Sequence, residues 1–113
     1  MGRNQVRLVW FLIGLFLVAT LGDHLTTWAC LSNPVPGWEV SEVNPVSAWL
    51  FSSFGLVPGL LLDGIVTIWV AVWVGYTKVF TVRFKVLYLL FVLACTLYAV
   101  NNNYHGMLEM GIL

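Results

Sequence analysis

Charge is scarce in this chain. Of 113 residues, five are Lys or Arg and five are Asp or Glu, so 9% are charged and the formal net charge is zero. With no basic run or basic face, nucleic acid is excluded as a partner. Cysteine is scarce too. Cys30 and Cys95 form no CxxC pair and no metal-type spacing with a histidine. The sequence has no HExxH, no nucleophile elbow and no dense histidine cluster. It has no internal repeat and no low-complexity segment either.

Apolar surface is what the chain has in excess. Hydrophobic residues make up 60% and the mean hydropathy is +0.91. A single domain of this size in water could not hide that much apolar surface. The expected partner is therefore the lipid bilayer, and the expected fold is all-α. Its parts are three transmembrane helices plus one short interfacial or re-entrant helix in a single domain, residues 1–113.

The first 30 residues superficially match a secretory signal, with Arg3 and Arg7 ahead of an apolar core. No A-x-A site follows, however, and the apolar run continues past Asp23 and His24 to Leu31. A span over 8–31 is expected, because about 20 apolar residues suffice to cross. Residues 32–45 form a polar, Pro-containing loop. Asn44-Pro45 reads as a helix start, with Asn as cap and Pro at the first helical position. The helix that follows, over 45–54, is too short to span. Val46, Trp49, Leu50 and Phe54 share its apolar stripe, and Ser47 lies outside it. Gly55 and Pro58-Gly59 then bend the chain. Further spans are expected over 56–77 and 86–100, with a short interfacial tail after the Asn101–Asn103 run.

The few charges are segregated. Arg3, Arg7, Lys78, Arg83 and Lys85 fall at one end of the spans, and Asp23, Glu39, Glu42, Asp63 and Glu109 fall toward the other. By the positive-inside rule, the protein is expected in the cytoplasmic membrane, with its N-terminus cytoplasmic and its C-terminus outside.

Segregation leaves the acids without a Lys or Arg. Asp23 is 16 residues above Arg7, Asp63 is 15 from Lys78, and Asn101 is 16 above Lys85. At about 1.5 Å per residue these three share one level, roughly 22–24 Å above the basic boundary. Small and hydroxyl residues flank them: Ala19, Thr20, Thr26, Thr27 and Cys30 around Asp23, and Gly59, Thr67 and Ala71 along the Asp63 stripe. Tyr98 and Ala94 lie on the Asn101 stripe. Close membrane-helix packing uses such residues. The expectation is a polar layer in which Asp23, Asp63 and Asn101 face one another. An ionised carboxylate at this depth costs at least about 2.5–3.5 kcal/mol. Four remedies are open: protonation, a cation between the acids, charge from His24 or His105, or charge from a partner subunit. Asp23, Glu42, Asp63 and His105 are the candidate ligands for a divalent metal.

Asp23-His24-Leu25-Thr26-Thr27, followed by Glu42-Val43-Asn44-Pro45, resembles a pattern found in a family of small three-helix prokaryotic membrane proteins of unassigned function. That family carries an Asp-x-x-Thr-Thr-like stretch and a Glu-x-Asn-Pro motif at similar separation. The resemblance implies that Asp23, Thr26, Thr27, Glu42, Asn44 and Pro45 belong to one structural unit. It implies no reaction. The family often has a lysine in its second membrane helix, whereas this chain has Asp63 there and no lysine before Lys78.

Three functions are expected in descending order. The first is a non-catalytic membrane subunit or self-associating module, whose partners are further copies or a larger membrane complex. The second is a metal- or proton-binding protein, including a metal-dependent hydrolase at the outer leaflet. The third is a cation channel or holin-like pore.

Overall fold

The computed structural model describes residues 2–33, 37 and 45–112. Four helices account for most of them: α1 (Arg3–Ser32), α2 (Pro45–Phe54), α3 (Leu56–Tyr76) and α4 (Val82–Met110). No strand occurs among the described residues. α1, α3 and α4 are each long and apolar enough to cross a membrane. The helices form a thin slab of 54 × 28 × 16 Å. α1 packs on both α3 and α4, and α2 folds back on α3.

Local chemistry sets the breaks. Pro45 opens α2, where its missing N–H is no loss. Gly55, at φ 92°, separates α2 from α3 in a conformation that a side chain would strain. Gly59 lets α2 lie against α3: a Cβ there would stand 2.8 Å from the Phe51 ring and 3.1 Å from the Leu50 backbone. Pro58 falls in the first turn of α3, where an N–H is dispensable. Thr81 caps α4 by accepting the Phe84 N–H at 3.2 Å.

α4 departs most from expectation. It does not end at the Asn run but continues to Met110. Gly111, at φ 79°, closes it, with the Ile112 N–H returning to the Met107 carbonyl at 3.0 Å. The physical reason is tertiary. Met107 and Met110 bury themselves with Cys30 of α1, and that packing holds the last turns. A second cluster of Val9, Leu12, Ile13, Ala71 and Leu89 joins α1, α3 and α4 at the other end.

α1 and α4 run parallel. Gly22 faces Val100, Thr27 faces Asn103 and Cys30 faces Met107. The start of α1, the end of α3 and the start of α4 meet at one end. There the rings of Trp10 and Tyr76 are 4.9 Å apart, and the Lys85 ammonium donates to the Gly75 carbonyl at 3.2 Å. The basic residues therefore gather at one end of the slab. Lys85 itself is only 3% exposed, its charge set against the carbonyl end of α3.

α2 is turned inside out relative to a soluble amphipathic helix. Ser47 is 7% exposed, while Val46, Trp49 and Phe54 each expose more than half of their surface. Trp69 and Trp73 of α3 also point outward.

Candidate functional site

The polar side chains assemble into two clusters on two sides of α1. Neighbouring positions on a helix point about 100° apart. Asp23 thus turns to α4 while His24 turns to α3.

On the α4 side, Asn103 is the hub. Its amide Nδ2 lies 2.9 Å from Thr26 Oγ1, 3.2 Å from Thr27 Oγ1 and 3.2 Å from Asp23 Oδ1. Thr26 spends its own proton on the Gly22 carbonyl at 2.8 Å, which leaves its lone pairs to accept. Thr27 donates to Asp23 Oδ1 at 3.5 Å, and the Cys30 thiol faces the Asn103 carbonyl at 3.7 Å. Thr27 and Cys30 are buried along this seam, and Ala19 and Thr20 of α1 are buried as well. Thr20 Oγ1 is buried and has no partner among the described residues.

On the α3 side, His24 and Asp63 form a pair. His24 Nδ1 is 2.8 Å from the Thr20 carbonyl, and Nε2 is 2.9 Å from Asp63 Oδ2. A carbonyl only accepts, so Nδ1 carries a proton. The second contact then also needs one proton, on Nε2 or on the carboxyl. In either arrangement the pair is neutral overall. Ser47 of α2 reaches the same Oδ2 at 3.5 Å, and Thr67 donates to the Asp63 backbone carbonyl at 2.7 Å. The His24 and Asp63 side chains keep 16% and 29% of their surface. His24 also edges an apolar groove of about 380 Å³ between α1 and α3, walled by Leu21, Trp28, Leu61, Ile65 and Ile68.

Asp23, Thr26, Thr27 and Asp63 thus lie within polar clusters, but the expected single layer is divided. Asp23 and Asp63 bond to different partners. Asn101 joins neither cluster: it is exposed, and Asn103 takes the place expected for it. Two residues on a helix are a turn of about 200°, and α4 buries Lys85, Leu89, Met107 and Met110, the face to which Asn103 belongs. His105 is exposed, with its ring 6.1 Å from that of Tyr104. Glu42 and Asn44 lie outside the described residues, and Pro45 is the first residue of α2. No three His, Cys, Asp or Glu side chains among the described residues group closely enough to hold a metal ion. Cys30 and Cys95 are both free thiols.

Sequence reasoning missed two contributors, Ser47 and Asn103 as the partner of Asp23; His24 was among the groups expected to answer an aspartate, and the structure sets it against Asp63. The persistence of apolar Met107 and Met110 beyond the Asn run, in phase with Asn103, is the signal that locates Asn103.

Among the described residues these features define an all-helical protein with three helices able to cross a membrane and a divided polar seam along α1, which packs on both of the others. No family model, no curated protein and no solved structure matches the chain.

Proposed function

We propose that this chain is a small integral membrane protein that acts without catalysis, as a self-associating helical module or as a subunit of a larger membrane complex. Its basic end is cytoplasmic, and α1, α3 and α4 span the cytoplasmic membrane. α2 lies at or within the outer face.

One observation carries this reading: Asp23 and Asp63 each find a hydrogen-bonding partner on a neighbouring helix, at two separate places. Two carboxylates converging on a common point would favour an ion or a reaction there. Separate pairs instead lock α1 to α4 and α1 to α3. Interhelical polar contacts of about 0.6–2 kcal/mol are enough to set helix register. The outward apolar and aromatic surface of α2, α3 and α4 suits lipid and lateral association.

A second reading, a proton-binding site, is favoured by the single proton that His24 and Asp63 must share beside the groove.

Native mass spectrometry in mild detergent tests the proposal by reading copy number, partner subunits and bound metal together. The expected result is a defined oligomer or a heteromeric complex, unchanged by Asp23→Asn, because the amide oxygen still accepts from Asn103. A stoichiometric metal lost in Asp23→Asn would overturn it in favour of a metal site.

A further inference from the structure

The outer third of α4 presents a polar patch on the side away from α1. Asn101, Asn102 and His105 are exposed there, and Tyr98, one turn below Asn101 and Asn102, is 73% exposed. Neither the Asn101 nor the Asn102 side-chain amide has a hydrogen bond among the described residues, whereas that of Asn103 beside them has three acceptors within 3.2 Å. The parallel register of α1 and α4 puts Asn101 level with Asp23 and His24. Trp28 and Tyr104 stand about a turn higher. Taking the membrane placement proposed above, the two amides lie roughly 24 Å above Lys85, inside a hydrocarbon core about 30 Å thick. An amide cannot hydrogen-bond lipid tails, and leaving it unmet is costly.

We infer that this face of α4, centred on Asn101 and Asn102, is where a second copy of the chain binds. The argument for that occupant is depth and complementarity. Copies inserted in one orientation and related by an axis normal to the bilayer present every residue at a matching height. A narrow polar band is met only by a partner that is polar at the same level, and a second copy supplies one automatically. The carboxamide is self-complementary, with donors and an acceptor in one group. The one Lys, Arg, Asp or Glu on this side of the outer third of α4 among the described residues, Glu109, stands about two turns above Asn101, toward the end of the helix and beyond the amide band. Ala94 lies two turns below Asn101 and lets the helices approach closely. Asn at one position of an otherwise apolar seam also fixes register.

The inference rests on the self-association reading, and the test separates the two. Full-length protein carrying donor or acceptor dye at its N-terminus is reconstituted in phosphatidylcholine–phosphatidylglycerol vesicles and diluted with lipid. Wild type should show saturable energy transfer, and Asn101→Leu with Asn102→Leu should weaken association about tenfold or more. Cys30 should stay protected from thiol reagents in both, which shows the fold intact. Independently, Tyr98→Cys in a Cys95→Ser background should cross-link between copies, and Trp69→Cys on α3 should not. A wild-type oligomer indifferent to the double change, or cross-linked through position 69 instead, overturns this interface while leaving self-association standing. A wild-type monomer at all dilutions overturns both self-association and this interface.

Discussion

Removing His24 should cost far more than removing His24 and Asp63 together. In His24→Leu, the Asp63 carboxyl keeps only Ser47 at 3.5 Å among its described side-chain partners. Breaking a buried ion pair from one side typically costs about 3–5 kcal/mol. Here Asp63 retains 29% of its side-chain surface, so water reaches it and the cost falls to about 2 kcal/mol. In Asp63→Leu, His24 keeps its Nδ1 contact to Thr20 and strands one ring nitrogen, a loss of about 1 kcal/mol. The double change replaces both partners by apolar groups and should lie within about 1 kcal/mol of wild type. The coupling energy is then about 2 kcal/mol or more, at or above the upper end for polar pairs between membrane helices. Equilibrium unfolding in mixed micelles, followed by tryptophan fluorescence, gives all four corners of the cycle. Additive single effects, with coupling below about 0.3 kcal/mol, would refute the pair.

Three further outcomes follow from the packing. Asn103→Leu should destabilise by about 1–3 kcal/mol and loosen the α1–α4 seam around Cys30, read as faster modification of that thiol, whereas Asn101→Leu should leave Cys30 protected in the monomer. Gly75→Ala should cost about 1–3 kcal/mol, since the new Cβ would stand 2.7 Å from the Trp10 ring and 2.9 Å from Ile13; thermal unfolding in detergent measures it. Lys85→Met keeps the buried stem and loses the bond to Gly75, so stability should fall by about 1–2 kcal/mol; topology mapping should still find the N-terminus inside, because Arg83 and Lys78 remain.

Much of the architecture was legible because it depends on one-dimensional signals. Apolar runs, Pro45, and the Gly55 and Pro58-Gly59 breaks marked the four helices found among the described residues, although α4 extends beyond the expected 86–100 at both ends. The small-residue stripes around Asp23 and Asp63 also marked faces that are buried, as Ala19, Thr27, Gly59 and Ala71 show. What the sequence withheld was rotation and order. Nothing in it says that α1 lies between α3 and α4, so nothing told that adjacent Asp23 and His24 would serve different neighbours. The α4 error has a separate cause. Asn is a weak helix former and a common helix end, which made the Asn run look terminal. Tertiary contacts of Asn103, Met107 and Met110 overrode that local preference. Ser47 went unplaced because α2 buries its polar side and exposes its apolar one, the reverse of the pattern in water.

The central claim is that the two aspartates are answered separately within the chain. Magic-angle-spinning NMR of protein in lipid bilayers, isotopically labelled at His, Asp and Asn, tests it directly. The account predicts a through-space correlation between the His24 Nε2 nitrogen and the Asp63 side-chain carboxyl carbon, a protonated Nδ1, and a separate correlation between the Asn103 amide nitrogen and the Asp23 carboxyl carbon. A correlation joining the Asp23 and Asp63 carboxyl carbons, with His24 tied to neither, would contradict it.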